Sequence, residues 1–493
     1  MSIIAFQPEF RPALPVVFGA KDYREFRAVL IEMDRILVVS GVEKRFIAQC
    51  IASLKTPPAH RQLQRHAKTI RLALRYNILL GVTGLSYRAL SRQAADSHLF
   101  QWFTNTGFVD AVRPVSKSTL ERFEKMFPAE KIAELIHQIN RAVAEPLQAK
   151  KLLYREAALR FDGIFADTTC VKANIHFPVD WILLRDASRT LIKAIKLIRQ
   201  RGLKHRIGSP DKLIRDMNKL CIEMTHTRKK PEAEKMRKQV FRRMKKLMKL
   251  IEGHAGNYHT LLSDRWIETG WSEIETQVVL DRIQGILDQL PQAVYQAHER
   301  IIGQRRVKNS DKILSLYETD VHVIVRGKAD AEVEFGSGLY LAEQADGLIV
   351  DWKFMQEQPP ADSRLAGPSI KRITAEYETP KSYTTDRGFN SQANDLILEE
   401  LGIINATCPR SVYELQEKLE DEGFCLLQKR RGSTEGRIGI FKNAYLGKPL
   451  RSKGFKNRQI RIEWCILAHN LWKMGRIAAQ KLAEIEIELA ATG

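Results

Sequence analysis

The sequence predicts an α/β protein with a mixed-sheet core, an all-helical N-terminal domain and a helical insertion, and three observations predict it. Residues 1–150 carry apolar positions at three- and four-residue spacing, as in LRYNILLGVTGLSYRALSRQAADSHLFQWF. The stretches ALRFDGIFADTTCV, ILSLYETDVHVIVRG and VEFGSGLYLAEQADGLIVDWKF are apolar runs broken by small or acidic residues, the texture of strands. Between them, 181–310 reads as helical and holds most of the charge. From 189 to 249 there are 21 Lys and Arg against 5 Asp and Glu, a net +16 of the chain's +21. At 493 residues the chain exceeds one compact core. The expected division is 1–150, then 151–180 together with 311–493, then 181–310 as the insertion.

The elements follow in order. After Pro114, SKSTLERFEKMF opens a helix in which Ser118 and Glu121 form a capping-box pattern. Lys117, Thr119, Arg122 and Lys125 on its first turns give the outline of a helix-turn-helix suited to recognising a DNA end, or equally a bundle with a basic face. In the insertion, Met236, Val240, Met244, Leu247 and Ile251 mark one apolar seam, with Arg242, Arg243, Lys245 and Lys246 around it. That is an amphipathic helix, expected in an antiparallel pair and read as gripping DNA, against the plainer reading of a charged coiled-coil face. Asp346-Gly347 between two apolar runs predicts a hairpin turn. Residues 359–368 read as a loop, and TAEYETPKSYTTDRGF then brings an acid before a glycine. SQANDLILEELGI is a helix, INATCP a short strand, and SVYELQEKLEDEG a helix capped by Ser411 and Glu414 and stopped at Gly423. A long C-terminal helix closes the chain.

The composition narrows the partner. The 79 Lys and Arg against 58 Asp and Glu imply a polyanion, and nucleic acid is the first candidate; a passive binder or a membrane-surface protein carries such charge too. The six cysteines contain no C-x-x-C pair and read as reduced thiols in the cytoplasm, not a zinc site or disulfide frame. MSIIAFQPEFRPALPVV lacks a basic segment followed by an apolar run, so no signal peptide is expected. No apolar stretch reaches bilayer-spanning length, so no membrane is expected either.

RRGSTEGRIGIFK is the most informative segment. With Ser433 or Thr434 capping a helix, Glu435 and Lys442, seven apart, share one face, and Arg431 approaches from the preceding loop. Taken alone this is a solvated helix end. Set the insertion aside, however, and the order becomes strand with acid, two or three antiparallel strands, strand with acid, helix, strand, helix, helix with acid. That is the order of a ribonuclease H-like nucleotidyl transferase. In-line displacement at a phosphodiester uses two Mg²⁺ roughly 4 Å apart, and three carboxylates from different elements supply the hard oxygen ligands.

DTTCVKANIHFPVDW at 167–181 and YTTDRGFNSQAN at 383–394 resemble the first and second aspartate motifs of bacterial insertion-sequence transposases of the DDE class. The third block resembles their Y-x2-R-x3-E-x6-K signature at Arg431, Glu435 and Lys442, with Gln428 at the tyrosine position. The resemblance extends to GLSYRALSRQAADSHLFQWF and LAHNLWKMGR and so covers most of the chain. It implies that Asp167, Asp386 and Glu435 are the catalytic metal ligands, for two Mg²⁺ or substituting Mn²⁺, and that Arg387, Arg431 and Lys442 contact phosphate. It also implies double-stranded DNA, both element ends and target, as partner, a homodimer in the DNA complex, and residence in the bacterial cytoplasm with the nucleoid. Two other readings stand beside it: a non-catalytic DNA-binding derivative, and a structure-specific nuclease on the same fold. Asp162 competes with Asp167 for the first position. Asp351 is expected to face solvent by strand alternation, Asp180 to cap the following helix, and His176, His322 and His469 to be structural.

Overall fold

A computed structural model describes Arg11 and residues 13–54, 56, 58–107, 111–227, 232–328 and 331–492. The N-terminal stretch through Phe10, and Arg228, Lys229 and Lys230 of the basic block, lie outside the described residues. The chain is α/β and forms two units: one of 1–171, 338–355 and 359–493, the other of 172–337 and 356–358.

Among the described residues, the first unit opens with eight helices: α1 (Lys21–Val39), α2 (Val42–Ala52), α3 (His60–Thr83), α4 (Tyr87–Asp96), α5 (His98–Thr104), α6 (Lys117–Glu124), α7 (Ala129–Ala144) and α8 (Pro146–Leu153). Ser116, not Ser118, caps α6: its Oγ accepts from the Thr119 N–H at 3.2 Å. The expected capping box fails because Glu121 lies a turn inside the helix and pairs with Lys125 at 3.0 Å. The C-terminal helix α17 (Phe455–Thr492) packs on α1, α3 and α7 and so brings these helices into one core with the sheet. Within that core Arg75 is fully buried between Asp34 at 2.5 Å and Glu43 at 2.7 Å, which satisfies the charge where no water reaches it.

Six strands make one mixed sheet: β1 (Gly163–Lys172), β2 (His322–Lys328), β3 (Ala331–Gln344), β4 (Ile349–Phe354), β5 (Ser382–Thr384) and β6 (Ile404–Asn405). Their order is β2-β3-β1-β5-β6, with β4 antiparallel on β3. The β3–β4 turn falls at the expected Asp346-Gly347, where Gly347 adopts φ +90°, a conformation side-chain-bearing residues resist. The strands β1, β5 and β6 are parallel, with Phe165 opposite Thr384 and Tyr383 opposite Asn405.

The second unit is a bundle of α9 (Asp180–Gln200), α10 (Pro210–His226), α11 (Ala233–Arg265) and α12 (Glu273–Ile301). The expected seam is there: Val240, Met244 and Ile251 are buried, and Arg242, Arg243, Lys245 and Lys246 are exposed. The expected helix pair is a bundle of four because α9 and α10 carry apolar faces of their own, Leu184, Leu191 and Ile195 on one and Met217 and Leu220 on the other. Asp180 does not cap α9; Val179 stands at the cap, and the Asp180 carboxylate meets Arg300 at 2.9 Å.

Between β4 and β5, the expected loop at 359–368 holds a 3-10 turn (Asp362–Arg364) and the start of α13 (Ala366–Glu376). After β5 come α14 (Gln392–Glu400), α15 (Val412–Lys418) and α16 (Glu422–Ile440), which continues as a π-helical stretch (Phe441–Leu446). Gly423 does not stop a helix. It sits at the start of α16, and the Asp421 side chain caps that end by accepting from its N–H at 2.8 Å. Ser433 and Thr434 are therefore mid-helix, and Arg431 is a helical residue, not a loop residue.

Candidate functional site

The site is built from the pairing of β1 with β5. Phe165 lies opposite Thr384, and two residues further along each chain stand Asp167 and Asp386. Parallel neighbours lie about 4.8 Å apart, so this register delivers two aspartates at the same level where β5 ends. Asp386 Oδ1 accepts from the Gly388 N–H at 2.9 Å, which fixes it at the head of the following 3-10 turn. Asp167 Oδ1 accepts from the Thr168 N–H at 2.7 Å.

Helix α16 supplies the third carboxylate, and two sets of contacts set its placement. Gln428 donates through Nε2 to the carbonyls of Thr385 at 3.1 Å and Ala406 at 2.6 Å, beyond the ends of β5 and β6, while its Oε1 accepts from Arg431 Nε at 3.0 Å. On another face, Glu343 at the end of β3 accepts through Oε1 from Thr434 at 2.7 Å, Arg437 at 2.8 Å and both terminal nitrogens of Arg430 at 3.1 Å. Held on both sides, α16 presents Arg431 and Glu435 one turn apart, about 6 Å along the axis, and Lys442 follows in its π-helical continuation.

The ionisation of Asp167 reports the company it keeps. Its pKa is pushed up to about 6, first by burial and then by the charges of Asp386 and Glu435, against the Thr168 hydrogen bond and Arg431, which pull it down. Asp167, Asp386, Glu435 and Arg431 are therefore electrostatic neighbours. Asp162 is elsewhere: its carboxylate pairs with Arg160 and with Lys381 at 3.5 Å at the start of β1. Asp351 does not face solvent. It is buried, accepting from Ser369 at 2.6 Å and from Arg372 at 2.7 and 2.8 Å, because α13 covers that face of the strand. Arg387 is exposed immediately after Asp386. His176, His322 and His469 bond Asp186, the Gln356 carbonyl and Asn470.

One residue escaped the sequence. Asp362 accepts through Oδ1 from Thr168 Oγ1 at 3.0 Å. Its Oδ2 and the Oδ1 of Asp386 each lie 3.0 Å from the same point, the place a β-carbon on Gly388 would take. A further carboxylate thus stands beside Asp386 and next to the residue that follows Asp167. No local signal marks it, since it stands in a short turn distant in sequence from both aspartates.

These groups suit a hard divalent cation. They are oxygen donors from separate elements, and burial together with the neighbouring carboxylates holds the Asp167 carboxyl above its ordinary value. Among the described residues, no three of His, Cys, Asp and Glu stand close enough together to enclose an ion as they are. Asp167 and Asp386 each accept instead from a backbone N–H just after them in the chain. No family model, curated protein or solved structure matches this chain.

Proposed function

We propose that the chain is a Mg²⁺-dependent DNA transposase that cleaves phosphodiesters at element ends and joins the freed 3′-hydroxyl to target DNA. The observation that carries this reading is the delivery of Asp167 and Asp386 at one level of two parallel strands, with Glu435 and Arg431 of α16 acting on the same carboxylate. The strand order β2-β3-β1-β5-β6 with β4 on β3, in which β2, β3 and β4 pair antiparallel and β1, β5 and β6 parallel, supports a ribonuclease H-like core. The net charge of +21 supports a polyanionic substrate.

Asp167, Asp386 and Glu435 would hold the metal, which when bound supplies activation of the attacking oxygen and neutralisation of charge at the leaving one. The chain's own residues do the rest. Gln428 orients the Arg431 guanidinium, which then faces one way and offers its remaining N–H groups to a non-bridging phosphate oxygen. Lys442 sits further along the same helix to take an adjacent phosphate. Thr168, donating to Asp362, fixes the strand on which Asp167 rides.

The test is a plasmid carrying the sequence that flanks the protein's own gene, incubated with the full chain and Mg²⁺ or Mn²⁺. Nicking and joined products are expected, and both should disappear in Asp167→Asn. Absence of nicking with either metal overturns the enzyme reading, and nicking without joining marks a nuclease.

Arg431→Ala and Lys442→Ala are expected to lower turnover on bound DNA about tenfold to a hundredfold, with affinity within a few-fold of normal. Single-turnover rates at saturating enzyme measure this, and normal turnover with greatly weakened binding refutes the placement.

For the second unit, we propose that the exposed cations of α11 bind duplex backbone. Reversing charge at Arg242, Arg243, Lys245 and Lys246 is expected to weaken binding to every duplex alike, lowering the slope of log K against log salt by about 0.9 for each phosphate no longer neutralised. An unchanged slope with an altered oligomeric state would assign this face to protein contacts instead. Arg243 already pairs with Glu223 at 3.0 Å, so it contributes least.

A further inference from the structure

One cavity in the first unit is lined by none of these carboxylates. It is a groove of about 1010 Å³ between the end of α3, the beginnings of α4 and α6, and the segment from Asn443 to Arg461. Gly84 shapes its wall: it ends α3 at φ +60°, and a β-carbon there would stand 2.8 Å from the Ala444 carbonyl oxygen, so only glycine lets the two chains approach this closely.

The charge of this groove is one-sided. Arg88, Lys117, Lys448, Arg451 and Lys453 line it, all exposed, and among the described residues none of them has a carboxylate partner. The two acids in the lining are already answered. Glu121 pairs with Lys125 at 3.0 Å, and the buried Glu124 accepts from Arg461 at 3.4 Å and Ser452 at 3.3 Å. The start of α4, capped by Ser86, also stands in the lining and adds partial positive charge to the cations.

Exposed cations around a cavity of this size suit an extended anion. Lys442, in the π-helical continuation of α16, directly precedes Asn443, the point at which this segment enters the lining. From Glu435 to Asn443 the helical rise is about 12 Å. At about 3.4 Å of duplex per nucleotide, that reach spans three to four nucleotides.

We propose that this groove binds the sugar-phosphate backbone of duplex DNA three to four nucleotides from the scissile phosphate, holding the flank of the substrate while the carboxylates act. The choice of DNA rests on the reading of the Asp167 site as a DNA-processing centre. The contacts are to phosphate and independent of base sequence, since flexible Lys and Arg heads line the groove.

The experiment measures binding of a fluorescein-labelled duplex of mixed sequence to the full chain across a salt series. It compares the natural protein with a variant carrying Arg88→Gln, Lys448→Gln, Arg451→Gln and Lys453→Gln. All four side chains are exposed, so the fold should persist, and an unchanged melting temperature verifies it. Expected is at least about a tenfold loss of affinity at low salt and a slope of log K against log salt reduced by up to about 3.6, about 0.9 for each of four phosphates. On a second duplex carrying the sequence nicked in the plasmid test, hydroxyl-radical footprinting should lose protection at three to four nucleotides from the cut site while protection at the cut site remains. A natural protein that binds no duplex removes the proposed function itself. Tight binding by the natural protein with the same slope and footprint in the variant overturns the groove alone.

Discussion

Asp167→Ala, Asp386→Ala and Glu435→Ala are each expected to reduce DNA cleavage by about a thousandfold or more while leaving duplex affinity within a few-fold. Each removes one oxygen donor from a set drawn from three elements, and charge neutralisation at the transition state is the largest catalytic contribution such a site makes. Mn²⁺ should support turnover, and Ca²⁺ should permit binding without it, because Ca²⁺ accepts looser, higher coordination. Asp162→Ala should cleave normally, since that carboxylate is engaged by Arg160 and Lys381; loss of cutting there with retention in Asp167→Ala would reverse the assignment. The same site has a signature in stability. A carboxyl whose pKa rises on folding from 3.8 to about 6 binds more protons folded than unfolded in that interval. Its contribution to stability is therefore intact below about pH 4 and is lost as pH rises through 6. In metal-free buffer at pH 7, Asp167→Asn should exceed the natural protein in stability by an amount of order 2 kcal/mol, with no difference near pH 3.5. Added Mg²⁺ should close the gap. Equal melting temperatures at both pH values would mean that Asp167 feels neither burial nor its neighbours.

Local chemistry made some of this legible in the sequence. The Asp346-Gly347 turn was readable because only a glycine takes its conformation cheaply, and the α11 seam because a repeat of three and four residues has one helical solution. The two aspartates were readable as acids in strand-like texture, but their shared level was not, since it depends on which residue of β1 faces which residue of β5. The beginning of α16 was misplaced for a physical reason. The helix contains Gly423, Gly432, Gly436 and Gly439, each costing about 1 kcal/mol against alanine, so local propensity argues against it. Its helicity is imposed from outside by Glu343 and by the carbonyls that Gln428 grips. Asp351 was misread because alternation assumes one wet face, whereas α13 covers the strand.

That external imposition makes Glu343 the residue on which the geometry of α16 turns. Its carboxylate is buried and collects Arg430, Thr434 and Arg437 from one face of the helix that carries Arg431 and Glu435. Arg430 is further held by the Ala345 carbonyl at 2.7 Å and lies over the Phe165 ring at 4.4 Å, two residues before Asp167. Glu343→Leu removes the anion these groups share and leaves two guanidinium groups facing each other. Breaking a fully buried pair costs about 3–5 kcal/mol; because both arginines are about one-fifth to one-quarter exposed, about 2 kcal/mol is the expected loss here. The larger consequence is catalytic. A four-glycine helix released on one side rotates or shifts, and a displacement near 1 Å at Glu435 costs about a hundredfold in rate. Expected, then, is turnover reduced about a hundredfold with DNA affinity nearly unchanged and the Mg²⁺ requirement raised, because the metal must now draw the third ligand into place. Glu343→Asp, which keeps the charge on a shorter stem, should recover part of the rate. The measurement is single-turnover cleavage across a Mg²⁺ titration, with melting temperatures taken alongside. If the rate falls only in proportion to the unfolded fraction and the Mg²⁺ midpoint stays where it was, Glu343 merely stabilises the fold and does not position the site.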